Sequence, residues 1–255
     1  MNTKLVNAIV ANADAYYRRY LAEYDAGDLT ENWWKAFDFF LGHACFQGRR
    51  DEVSYRVYKG ACEVLAPLFS DGPRDGNYDA HEQEAWEGIR TQLKERIGKG
   101  KVGKARDVDM ITSALSFIGA LPNKNIVAHS VSKIQARKVQ EHYIELQRAE
   151  SPRGIVQVGS KIAAVYLRDV VSVFHLTDFI DNTSAFCLQP VDTWVRKMAE
   201  KLDIVDPSAS AADVQRAIVS MCQENRISAL MFNQGAWYTG SHAIEMVLDL
   251  LSREN

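Results

Sequence analysis

Two side chains in this 255-residue sequence, Lys161 and Asp192, stand where an amine and a carboxylate can do chemistry. Residues 155–163, IVQVGSKIA, predict a tight turn leading into a helix that starts near Ser160. A turn of this kind leaves backbone N–H groups unpaired at a helix N-terminus, where the macrodipole favours a phosphate. Lys161 falls in the first turn of that helix. The positive end of the dipole disfavours an ammonium there and favours the neutral amine that a nucleophile needs near neutral pH. Asp192 precedes an amphipathic helix bearing Val195, Met198, Ala199 and Leu202. Taken singly, Asp192 is accounted for as an N-cap and Lys161 as a solvated surface cation. The cap and a chemical role are compatible, because a carboxylate fixed as a cap is well placed to act.

The elements that must position these groups read as helices throughout. Trp33, Trp34, Phe37, Phe40, Leu41 and Ala44 recur at three- and four-residue intervals, as do Val53, Val57, Ala61, Val64, Leu65 and Leu68. Further helices are predicted at about 79–97, 107–119, 125–149, 160–175, 192–203, 211–224, 226–236 and 241–253. The first 20 residues predict an amphipathic helix with Leu5, Ile9, Ala13 and Tyr16 on one face. Breaks fall at 25–27, 70–76, 121–123, 151–154 and 206–208, each marked by Gly, Pro, Asp or Ser. No alternating strand pattern competes, so the fold class expected is all-α.

Composition narrows the function. With 47% hydrophobic and 25% charged residues the chain is an ordinary globular protein, and no apolar run is long enough for a membrane span. Cys45, Cys62, Cys187 and Cys222 form no Cys-x-x-Cys pair. A zinc ribbon or a cysteine-held iron–sulfur cluster is therefore not expected, and no metal-ligand set is read from the sequence. Free, mostly buried thiols in a cytoplasmic protein are the expectation. The net charge of −3 hides segregation: residues 71–87 hold six acidic side chains and one basic, whereas 94–106 hold six basic and one acidic. A second basic set, Lys124, Lys133, Arg137 and Lys138, has no acid among it. The KGKVGK glycines allow close approach to a phosphate, but the Walker pattern is missing and a nucleotide hydrolase is excluded.

The hairpin IVQVGSKIA and the segment VDTWVR at 191–196 together resemble the helix-hairpin-helix DNA glycosylases, the endonuclease III and 8-oxoguanine glycosylase superfamily. That family's hairpin reads apolar-Pro-Gly-apolar-Gly-x-Lys-x-Ala, and its catalytic aspartate sits in Val-Asp-Thr-(aromatic or His)-apolar-Arg. The resemblance implies two helical subdomains, 28–178 and 1–27 with 179–255, carrying a helix-hairpin-helix motif and an active-site cleft between them. It implies Lys161 and Asp192 as the catalytic pair, and duplex DNA contacts from Gln47, Arg49, Arg50, Gln157, Gly159 and Ser160. SALMFNQGAWYTGSH is similar to the late helix that lines the base pocket, which makes Asn233, Gln234, Trp237 and Tyr238 the matching pocket residues. No organic cofactor is implied, and the hairpin allows a monovalent cation held by backbone carbonyls.

Three departures stand out. Gln157 replaces the first hairpin glycine, so the turn is not expected to be a simple copy. Lys161 and Asp192 are 31 residues apart, longer than in endonuclease III and nearer the archaeal 8-oxoguanine type. The C-terminal cysteine cluster of endonuclease III is absent. The activity implied is excision of a flipped, modified base by a monomeric glycosylase with associated AP lyase chemistry, oxidised guanine leading. Its DNA binding is expected to be salt-sensitive despite the negative net charge. Removal of hypermodified phage cytosine in anti-phage defence, nucleoside hydrolysis in salvage, and non-catalytic DNA binding are the alternatives.

Overall fold

The computed structural model describes residues 3–46, 49–69 and 83–253, and every regular element among them is helical. In chain order these are α1 (Thr3–Ala11), α2 (Ala13–Tyr20), α3 (Ala26–Glu31), α4 (Trp33–Ala44), α5 (Asp51–Phe69), α6 (Gln83–Ile97) and α7 (Ala105–Gly119). They are followed by α8 (Ile126–Gln135), α9 (Val139–Leu146), α10 (Ser160–Val173), α11 (Thr193–Lys201), α12 (Ala211–Glu224) and α13 (Ala229–Arg253). Short 3-10 turns occupy Thr177–Phe179 and Ala185–Leu188. No helix among the described residues is long and apolar enough to cross a membrane.

The chain divides into two compact units, Tyr24–Phe179 and Met1–Glu23 with Ile180–Asn255. In the continuous unit, α4 is the central element. Its Ala36, Phe37, Phe40, Leu41 and Ala44 are completely buried, as the sequence spacing requires, and it packs on α3, α5, α8 and α10. Asn125 caps α8 by accepting from Ala128 N, while its Nδ2 donates to the Leu29 and Thr30 carbonyls at the end of α3. One amide side chain thereby starts one helix and ends another. In the discontinuous unit, α13 collects α1, α2, α11 and α12 around Val6, Ile9, Val195, Ala199, Ile218 and Phe232. Gly235 permits this: a Cβ there would sit 1.8 Å from the Ile9 carbonyl oxygen, so α1 crosses α13 at backbone contact.

Several boundaries differ from the periodicity. The stretch 125–149 is two helices, because Arg137 takes a left-handed φ of 58° and turns the chain between α8 and α9. Conversely, 226–236 and 241–253 join into the single helix α13, which runs through Gly240. The N-terminal helix is interrupted at Asn12. The start of the helix predicted from 79 and most of the acidic stretch 71–87 lie outside the described residues. All four cysteines are free, and burial pushes the thiols of Cys187 and Cys222 up to about 12, which keeps them unreactive.

Candidate active site

The segment between α9 and α10 is pinned at Ile155 and Val156. Ile155 N donates to the Leu146 carbonyl at 3.0 Å and Val156 N to Ser113 Oγ at 3.0 Å, which anchors the turn to α7. Gly154 is required where the chain doubles back, since a Cβ there would lie 2.3 Å from the Gln147 carbonyl oxygen. Gln157 then adopts φ of 63°, the left-handed region that glycine enters without cost. The turn is therefore left-handed at a residue other than glycine. It also buries a Gln157 Nε2 that meets no acceptor among the described residues. Gln157→Gly is expected to raise stability modestly, by up to ~1 kcal/mol, through relief of both costs against the extra backbone entropy of glycine. A rightward shift of the urea midpoint checks this.

Gly159 is the N-cap of α10 and supplies no side-chain bond to its first amides. Gly159 and Ser160 are exposed, and the space where a Gly159 Cβ would stand is open to 4 Å. Lys161, half-buried in the first turn, has no hydrogen-bond or ion-pair partner among the described residues. Its helix is held rigidly from below. Arg168 and Asp169 are both about 1% exposed, with Arg168 Nε donating to Asp169 Oδ1 at 2.8 Å. His43 Nε2, from α4, meets Asp169 Oδ2 at 3.0 Å while His43 Nδ1 meets the Phe39 carbonyl at 2.8 Å. The carbonyls of Val156 and Val158 accept no backbone hydrogen bond among the described residues.

Asp192 belongs to the other unit. It is the N-cap of α11, and its Oδ1 accepts from Trp194 N at 3.0 Å and Val195 N at 2.8 Å. Its Oδ2 accepts no hydrogen bond among the described residues. The approach to this cap is fixed by two buried amides, Gln215, which the sequence did not single out, and Asn233, which the family resemblance implied as a base-pocket residue. Gln215 Nε2 donates to the Gln189 carbonyl at 2.8 Å, and Asn233 Nδ2 to the Pro190 carbonyl at 3.2 Å. Asn233 therefore acts on the backbone two residues ahead of Asp192. The signal of Gln215 in sequence is only a polar residue at an apolar helical position.

The remaining residues scatter. Gln234 is 3% exposed on α13. Trp237 sits edge-on to Tyr16 and Tyr20 at 5.6 and 5.4 Å, and Tyr238 stacks on His242 at 4.3 Å. These four rings and His242 form an aromatic cluster along one side of α13. Arg49 is turned inward: Nη1 donates to Asp107 at 2.8 Å and Nη2 to the Cys45 carbonyl at 3.0 Å. Arg50 is exposed, and Gln47 lies outside the described residues. Of the basic sets, Lys133 pairs with Glu141 at 2.6 Å and Lys138 approaches it at 3.8 Å, whereas Lys99, Lys101 and Lys104 make no ion pair among the described residues.

No family model, curated protein or solved structure matches this chain. Its site must accordingly be read from its own atoms. Those atoms provide an amine beside an uncapped helix N-terminus in one unit and a half-engaged carboxylate in the other.

Proposed function

We propose that this protein is a DNA N-glycosylase that extrudes a modified base from duplex DNA, oxidised guanine first among them, and breaks its glycosidic bond with Lys161 and Asp192. The observation that carries the reading is the condition of these two groups. Among the described residues the Lys161 amine has no partner, and Asp192 caps α11 through Oδ1 alone, with Oδ2 open. The residue pattern of the hairpin and of VDTWVR supplies the rest of the support.

In this reading the N–H groups at the exposed start of α10 receive a DNA phosphate, and Gly159 allows the backbone close to it. A monovalent cation on the Val156 and Val158 carbonyls would add positive charge beside that phosphate. Asp192 takes the proton that leaves Lys161 neutral; once that proton has passed on to the departing base, the restored carboxylate stabilises positive charge developing on the deoxyribose. The amine attacks C1′ as the C1′–N bond breaks, and the bonding electrons leave with the base, which is protonated. Ring opening gives a Schiff base between Lys161 and C1′, and loss of a C2′ proton expels the 3′ phosphate.

Borohydride adds hydride to that C1′–N double bond and fixes the adduct. Incubation with duplexes that each carry one modified base is expected to give a covalent protein–DNA species for at least one of them, absent in Lys161→Gln. Equal trapping by wild type and Lys161→Gln would exclude the amine as nucleophile.

A further inference from the structure

Away from Lys161 and Asp192, three metal-ligating side chains of the continuous unit converge on one point. His129 lies on α8, and His142 and Glu145, three residues apart, share a face of α9. One ligand atom from each lies within 4.8 Å of the others. Glu145 Oε2 is 3.2 Å from His129 Nε2 and 2.9 Å from His142 Nδ1. Ligand atoms around a tetrahedral Zn2+ are about 3.3 Å apart for bonds of roughly 2.0–2.1 Å, so the two imidazole–carboxylate spacings are already those of a coordination shell.

The surrounding hydrogen bonds orient His142 as a ligand. Ser130 Oγ donates to the Ile126 carbonyl at 2.7 Å and stands 2.8 Å from His142 Nε2. Without an ion, His142 Nδ1–H donates to the Glu145 carboxylate at 2.9 Å. An ion that takes the place of that proton meets the Nδ1 lone pair, while Nε2–H donates to Ser130 Oγ. Tyr166 OH, 3.0 Å from Ser130 Oγ, completes an outer layer of the sort that fixes the tautomer of metal-bound histidines. His142 is fully buried, His129 is 15% exposed and Glu145 31%, so an ion can enter from the Glu145 side and retain water there. Lys133 Nζ stands 3.7 Å from Glu145 Oε2, but its shorter contact, 2.6 Å, is to Glu141.

We propose that His129, His142 and Glu145 bind one divalent transition-metal ion with a water in the fourth position. Two nitrogens and one carboxylate oxygen suit Zn2+, whereas Mg2+ and Ca2+ call for oxygen-rich shells. The ion joins α8 to α9 directly ahead of the turn that leads to α10, and the site stands independently of the glycosylase reading.

The test is a titration of chelator-stripped full-length protein with Zn2+ against a chromophoric competitor. One Zn2+ per chain is expected. His129→Ala and Glu145→Gln, at part-exposed positions, should weaken binding by at least about 100-fold, and Ser130→Ala by about 10- to 100-fold. Lys133→Met, which removes a neighbouring ammonium, should tighten it severalfold, a result that loss of fold cannot imitate. Circular dichroism of each variant separates a lost site from a lost fold. Absence of saturable Zn2+ binding would leave only two histidines hydrogen-bonded to one glutamate and overturn the proposal. Binding that survives His129→Ala and Glu145→Gln, pointing to the cysteines, would overturn it as well.

Discussion

Asp192→Asn is expected to slow base release by about two to four orders of magnitude while leaving the protein folded. Asparagine caps helices as well as aspartate does, so the amides of Trp194 and Val195 keep an acceptor in the place of Oδ1. The fold loses only the favourable meeting of a negative charge with the helix N-terminus, ~0.5 kcal/mol. What disappears is the charge on Oδ2, the oxygen left open by the cap. Single-turnover base release from a duplex, measured beside urea unfolding, separates the two effects. Wild-type rates in Asp192→Asn would reduce this residue to a cap and remove it from the proposed mechanism.

The largest effect on stability is expected at Asp169. Burial by itself would raise this carboxyl, but the Arg168 guanidinium and His43 together hold it well below its ordinary value of 3.8. Asp169→Asn leaves the guanidinium of Arg168 without its carboxylate partner, about 1% exposed, and should cost about 3–5 kcal/mol at neutral pH. The pH dependence follows from the direction of the shift. A depressed folded value means that the contribution is complete above 3.8 and is lost as pH falls toward the folded value. Wild type should therefore lose stability in acid below that point, and the deficit of Asp169→Asn should narrow there. Urea unfolding at pH 7 and pH 3 measures both. A deficit constant across that range would assign the effect to packing instead of charge.

The all-α class and most helices were legible because apolar spacing and capping residues carry them locally. Trp33, Phe37 and Phe40 announce α4, and Ser210 with Asp213 forms the capping box that starts α12. The α8–α9 break was not legible, since Arg137 enters the left-handed region with no glycine or proline to mark it. Gly240 misled in the opposite direction. The sequence reading leaves it between two helices, 226–236 and 241–253, yet α13 continues through it, and its missing Cβ makes room for Trp194, whose own Cβ would be 2.7 Å away. At the site, the cap at Asp192 and the turn before Lys161 follow from residue type. The inward pairing of Arg49 with Asp107 and the grip of Asn233 on Pro190 depend on contacts 58 and 43 residues apart, which no local pattern encodes.

Discontinuity of one unit has a consequence for synthesis. Residues 24–179 can complete their own core as they leave the ribosome, because all of that unit is contiguous. Helices α1 and α2 are made first, but their apolar face has no partner until α13, more than 200 residues later, emerges. Val6 and Ile9 thus travel uncovered through most of translation. Closing that interval is the slowest encounter in the chain by contact order, so refolding should end with the joining of its two ends.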